Sequence, residues 1–159
     1  MGDKVDENQD HLNAHKSLKF LIKEREEPKK SSYIIAVIVN LILLYIFNSI
    51  PPWNISFITG TFRDVLLIFN LSVIVTITGN ILFLIYSQSW FRNVMQAIMH
   101  FLGFFVTYTF YVVFPFNFSQ EYVVFSLKFA LIVIMIVMVV LTIVEVLKFI
   151  LKILEHFLY

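Results

Sequence analysis

After a polar stretch of thirty-two residues, the chain becomes a succession of long apolar runs separated by short polar or proline-bearing breaks. The runs predict four helices, at about 33–50, 64–86, 92–114 and 121–145. Their lengths suit the ~20 apolar residues that a transmembrane helix needs, the first being near the short limit. The first run stops at Pro51-Pro52, where the missing N–H and the ring prevent helix continuation. Pro115 closes the third run in the same way. Between them, residues 53–63 read as a surface loop with Trp53 as an interfacial anchor, and residues 87–91 as a tight turn carrying Trp90.

Polar positions inside the runs carry the next signal. In the third run Asn93, Gln96, His100, Gly103 and Thr107 are spaced three, four, three and four apart, which puts them on one helix face. In the second run Ser72, Thr76, Gly79, Asn80 and Ser87 share a face on which Phe83 also lies. A polar or ionisable group deep in lipid is costly unless it faces protein or water. Both faces are therefore expected to look inward, with the third helix at the centre and the other three around it. A helical rise of about 1.5 Å per residue puts Asn40, Asn80 and His100 roughly 9–12 Å in from the inner ends of their helices. Gln96 is shallower, and Thr142 and Glu145 fall near the inner end of the fourth. The candidate intramembrane polar site is thus Asn40, Asn80, Gln96, His100 and Glu145. Charges at matching helix ends suggest two ion pairs, Asp64 with Lys128 and Arg92 with Glu145.

The last helix has no Gly or Pro from residue 121 to the end and would run about 57 Å, against roughly 30 Å of hydrocarbon. It is expected to leave the membrane near Val144 or Glu145. Residues 146–159 then form an amphipathic segment whose polar stripe, counted from Glu145, is Glu145, Lys148, Lys152 and Glu155. That segment either lies in the lipid interface, the commoner case for such helices, or docks its apolar side on a partner.

Composition agrees with the pattern. Residues are 59% hydrophobic and only 14% charged, well away from the half apolar and quarter charged of soluble domains. The absence of Cys excludes disulfides, thiolate metal sites and membrane thiol–disulfide chemistry. A net charge of +1 gives no nucleic-acid signal. The tail, residues 1–32, is acidic and then basic, and residues 11–27 could form a weak surface helix ending before Pro28. It reads neither as a secretory signal nor, with Asp6 in place of Ser or Thr, as a myristoylation site. The six basic tail residues near the first span, with Arg92, Lys148 and Lys152, fall on one side, against Arg63 and a snorkelling Lys128 on the other. The positive-inside rule then places both termini in the cytoplasm of a multi-pass protein of the cell membrane.

Other chemistry is sparse. His11 and His15 are four apart but lack a third ligand, so no metal site is expected. Asn54-Ile55-Ser56 and Asn117-Phe118-Ser119 match the glycosylation sequon in the two loops on the outer side. No nucleophile elbow, phosphate loop, zinc motif or carboxylate pair occurs, and His100 is the one candidate general base. Catalytic residues and cofactors are therefore not expected. The polar layer has two explanations: hydrogen-bonding glue between helices, or a path for an ion or small solute. Against the second, small four-helix drug/proton antiporters need a carboxylate in the first helix, where this chain has only Asn40 and Asn48.

The pieces PPWNISFITGTFRDVLLIFNLS and VVFPFNFS, in a four-span frame, resemble a group of small prokaryotic membrane proteins. The resemblance covers about residues 50–119. It implies architecture alone and brings no activity, cofactor or site residue with it.

The expectation is an all-α membrane protein: four transmembrane helices in an antiparallel bundle, the last extended by an amphipathic interfacial segment. Functionally it is a non-enzymatic component acting by association, with a small transporter or channel subunit as the alternative. Its expected partners are the lipid bilayer and, through the C-terminal helix, a second copy or another membrane protein.

Overall fold

The computed structural model describes the backbone of residues 29–86 and 88–158, and side chains through residue 154. Most of the polar tail, its surface helix, the His11/His15 pair, Ser87 and the Glu155 side chain lie outside the described residues. Apart from one isolated β-bridge, regular structure is helical: α1 (Lys30–Ser49), α2 (Phe62–Ile85), α3 (Ser89–Val113) and α4 (Glu121–Leu158), with a 3-10 turn at Pro51–Trp53. All four α-helices are long and apolar enough to cross a membrane. A helix closes its backbone hydrogen bonds internally, as hydrocarbon surroundings require.

Proline and left-handed residues set the breaks. The 3-10 turn at Pro51–Trp53 is followed by Asn54 at φ 54°, a conformation that asparagine tolerates better than most residues. Phe114 ends α3 at φ 38°, immediately before the buried Pro115. The turn expected over residues 87–91 is shorter, because Ser89, Trp90 and Phe91 already belong to α3. α4 is one unbroken helix of 38 residues, continuing well past Glu145.

The two loops at the Pro-rich end are tied together. Ile58 and Phe116 form an antiparallel bridge, in which the Thr59 N–H donates to the Pro115 carbonyl (3.0 Å) and the Asn117 N–H to that of Phe57 (2.8 Å). Beneath the bridge, Phe47 of α1 stacks on Phe69 of α2, with ring centroids 4.0 Å apart. Both Phe47 and Phe62 reach Phe110 of α3, and Phe110 stacks on Phe116 of the loop. At the far end, Tyr33 meets Phe83, and Phe83 and Tyr86 meet Phe91.

Close packing runs between consecutive helices, α1 on α2, α2 on α3 and α3 on α4. This corrects the expectation that α3 is the surrounded helix. Among the described residues the buried aliphatic and aromatic side chains, Phe62, Val65, Phe69, Val73 and Phe83, belong to α2, and Ser72, Gly79 and Asn80 are buried beside them. The polar face of α3 is genuine, but polar spacing identifies a face without counting the helices that cover it. On α2 large Phe side chains meet α1 and α3 while Gly79 lets Met95 and Met99 of α3 approach its backbone.

The end cluster gives a stability prediction. Phe62→Ala should cost about 3–5 kcal/mol in detergent unfolding, since Phe62 is 2% exposed between Phe47 and Phe110. Leu67→Ala on the same helix, at 81% exposure, should stay within about 0.5 kcal/mol.

A buried carboxylate on the α3–α4 seam

Three contacts fix how α3 and α4 face each other. Near the start of α3, the Lys152 ammonium donates to the Ser89 hydroxyl. Midway, Gly103 has the Met138 sulfur 3.3 Å from where a Cβ would stand. At the end of α3, Lys128 Nζ lies 4.9 Å from the centre of the Phe114 ring and 5.9 Å from that of Tyr111. Fourteen residues separate Ser89 from Gly103, and fourteen separate Met138 from Lys152. Glu145 is seven residues from both Met138 and Lys152, and Gln96 is seven from both Ser89 and Gly103. Seven residues are close to two helical turns, so Glu145 and Gln96 come level on the facing sides of the seam. His100 is one turn further along the same α3 face.

Glu145 is 5% exposed. Its Oε1 accepts a hydrogen bond from Lys148 Nζ at 2.8 Å, an ion pair within one turn of α4. Its Oε2 is buried with no hydrogen-bond partner among the described residues. His100 lies within electrostatic reach of both the Glu145 carboxylate and the Lys148 ammonium. By this register Gln96, His100 and Glu145 fall along one seam. An unsatisfied buried oxygen costs ~1–3 kcal/mol, and more when charged. A carboxylate in this state can accept a hydrogen bond, a proton or a cation.

The other members of the expected layer look elsewhere. Half-buried Asn40 donates from Nδ2 to the Ala36 carbonyl, and buried Asn80 donates to that of Thr76. The hydroxyls of Thr76, Thr107 and Thr142 likewise bond to carbonyls four residues back in their own helices. These bonds serve single helices rather than joining two. A cross-helix polar contact that sequence reasoning missed is the reciprocal Asn48–Asn70 pair, at 2.8 and 2.9 Å. Its signal was available: Asn70 is a lone amide in the run DVLLIFNLSV, facing the end of the first helix across their connecting loop.

The two suggested ion pairs take other forms. Lys128 covers aromatic rings of α3 while Asp64 is exposed on α2; close packing passes from α2 to α4 only through α3. Glu145 takes Lys148 from its own helix where Arg92 was expected, while Arg92 is half-buried on α3. A partner three residues away is available without any helix–helix adjustment. Among the described residues no group of three His, Cys, Asp or Glu side chains could hold a metal ion.

Removing one charge of the pair should be worse than removing both. Lys148→Leu strands the Glu145 charge and should destabilise by about 3 kcal/mol, the low end for a buried pair because Lys148 remains partly exposed. The double variant Glu145→Leu/Lys148→Leu should regain most of that loss in the same detergent-unfolding assay.

No protein-family model matches this chain, and neither a curated protein nor a solved structure matches it.

Proposed function

We propose that this chain is a multi-pass protein of the cell membrane, with both termini cytoplasmic and its helices antiparallel. It acts without catalysis, by associating with itself or with a membrane partner. Along α3 from Ser89 through Gly103 to Phe114, the partner positions on α4 fall from Lys152 through Met138 to Lys128, which supports the antiparallel arrangement. The basic residues before α1 support the orientation.

The observation that carries association is the state of α1. Among the described residues its close packing is on α2, with Phe47 alone reaching α3, and none of its twenty residues is buried. A membrane helix held mainly by one neighbour keeps most of its circumference open to a second protein. Single-cysteine variants test this cleanly, because the chain has no Cys of its own. Ile35→Cys or Ile42→Cys on the exposed side of α1 should give crosslinked species in native membranes, unchanged by His100→Leu or Glu145→Gln. A chain that stays uncrosslinked at every exposed α1 position and sediments as a monomer would overturn this proposal.

A second function, a small transporter or channel subunit, is favoured by Glu145. The Lys152–Ser89 contact carries the α3–α4 seam past Glu145, so this carboxylate lies about two turns, roughly 10 Å, inside the level of Ser89. Buried ionisable groups at such depth mark ion and proton paths. Proteoliposomes should then show an ion or proton flux that Glu145→Gln and His100→Leu abolish. Absence of flux across ions and pH would remove this alternative.

A further inference from the structure

We propose that Glu145, level with Gln96 and next to His100, is an exchangeable proton-binding site buried between α3 and α4. Whether that proton serves transport rests on the second function above; the site itself rests on the seam.

Three features carry the proposal. First, Oε2 of Glu145 is sealed from solvent and has no hydrogen-bond partner among the described residues, although its carboxylate is held by Lys148 through Oε1. A proton needs no cavity to reach such an oxygen. Second, the α3 face opposite supplies groups that can receive a carboxylic acid O–H. Gln96 offers an amide carbonyl and His100 a ring nitrogen, both on the face that comes level with Glu145. Third, Lys148 reaches toward water. Its side chain is 36% exposed against 7% for Glu145, so it can leave the carboxylate toward water when the charge it balances disappears.

The step balances as a proton uptake. The carboxylate takes one proton from water onto Oε2 and becomes a neutral acid. Its new O–H donates toward Gln96 or His100. Lys148 keeps its own proton and charge and is released from Oε1. Loss of the proton reverses each change and restores the ion pair. Among the described residues, the charged and titratable groups placed against Glu145 are His100 from α3 and Lys148 from its own helix; Arg92 lies about one turn beyond Gln96 on α3, and Lys152 reaches Ser89 two turns along α4.

Infrared difference spectroscopy across a pH titration of the reconstituted full chain tests the site. The wild type should gain, as pH falls, a carboxylic-acid C=O band that exchanges slowly with deuterium, as a sealed group must. Glu145→Gln should remove that band, and Glu145→Asp should replace it with an aspartic-acid band, which guards against simple misfolding. His100→Leu should move its titration midpoint. A slowly exchanging band that survives Glu145→Gln would overturn the proposal, as would its absence from a folded wild type. Proton flux measured in the same vesicles separates site from use. A titrating Glu145 without flux leaves the site intact and removes transport.

Discussion

Two backbone hydrogen bonds between loops, Thr59 to Pro115 and Asn117 to Phe57, tie the α1–α2 connection to the segment between α3 and α4. Along the helices α2 packs on α3, and Phe47 of α1 also reaches Phe110 of α3. In lipid, apolar contact alone gives little preference for one helix register over another, since the solvent is as apolar as the side chains. The bridge removes that freedom at one end. With Ile58 opposite Phe116, the rings of Phe47, Phe62 and Phe110 meet below it, and Phe83 meets Phe91 at the far end of α2. Small residues then decide how closely the helices approach between the ends. A Cβ on Gly79 would collide with the end of Met99, and one on Gly103 would press on Met138.

The sequence was most legible where the physics is one-dimensional. Apolar run length and the prolines locate the four helices to within a few residues, because each helix satisfies its own backbone and proline cannot. Facing positions were legible too: the spacing of Ser72, Gly79 and Asn80 picks the buried side of α2, and the spacing of Gln96 and His100 picks the seam side of α3. What the spacing could not give was the number of neighbours. A polar face on α3 and one on α2 look alike in sequence, yet α2 carries the buried Phe residues. Charge pairing was the least legible feature. Matching helix ends suggested Asp64 with Lys128, but a lysine chain can lie over nearby rings at little desolvation cost, and Phe114 and Tyr111 were within reach. The bridge between loops was invisible, because Ile58 and Phe116 are far apart in sequence and belong to no strand pattern.

The polar layer divides into two chemistries once its bonds are traced. Asn40, Asn80, Thr76, Thr107 and Thr142 return their donors to carbonyls of their own helices, which makes them tolerable in lipid without linking anything. Asn48 and Asn70 do link two helices, with both amides engaged twice. Glue between helices is therefore present, at a place other than the inner layer. That leaves Gln96, His100 and Glu145 as the part of the layer that helix-internal bonding does not explain.

Stability does not explain Glu145 either. A buried ion pair seldom outperforms well-packed apolar side chains of similar volume, because desolvating two charges offsets their attraction. Such pairs can still set register when they join two elements, but Lys148 and Glu145 belong to the same turn of α4 and constrain nothing beyond it. Gly103, Met138 and Ser89 already fix the seam without them. A leucine at position 145 would serve packing at least as well and would leave no unsatisfied oxygen. The carboxylate thus sits buried with one oxygen unpartnered among the described residues, balanced by a lysine that is partly exposed. Such an arrangement fits the proposed proton site, since a neutralising partner that can step aside lets the buried group exist in two states.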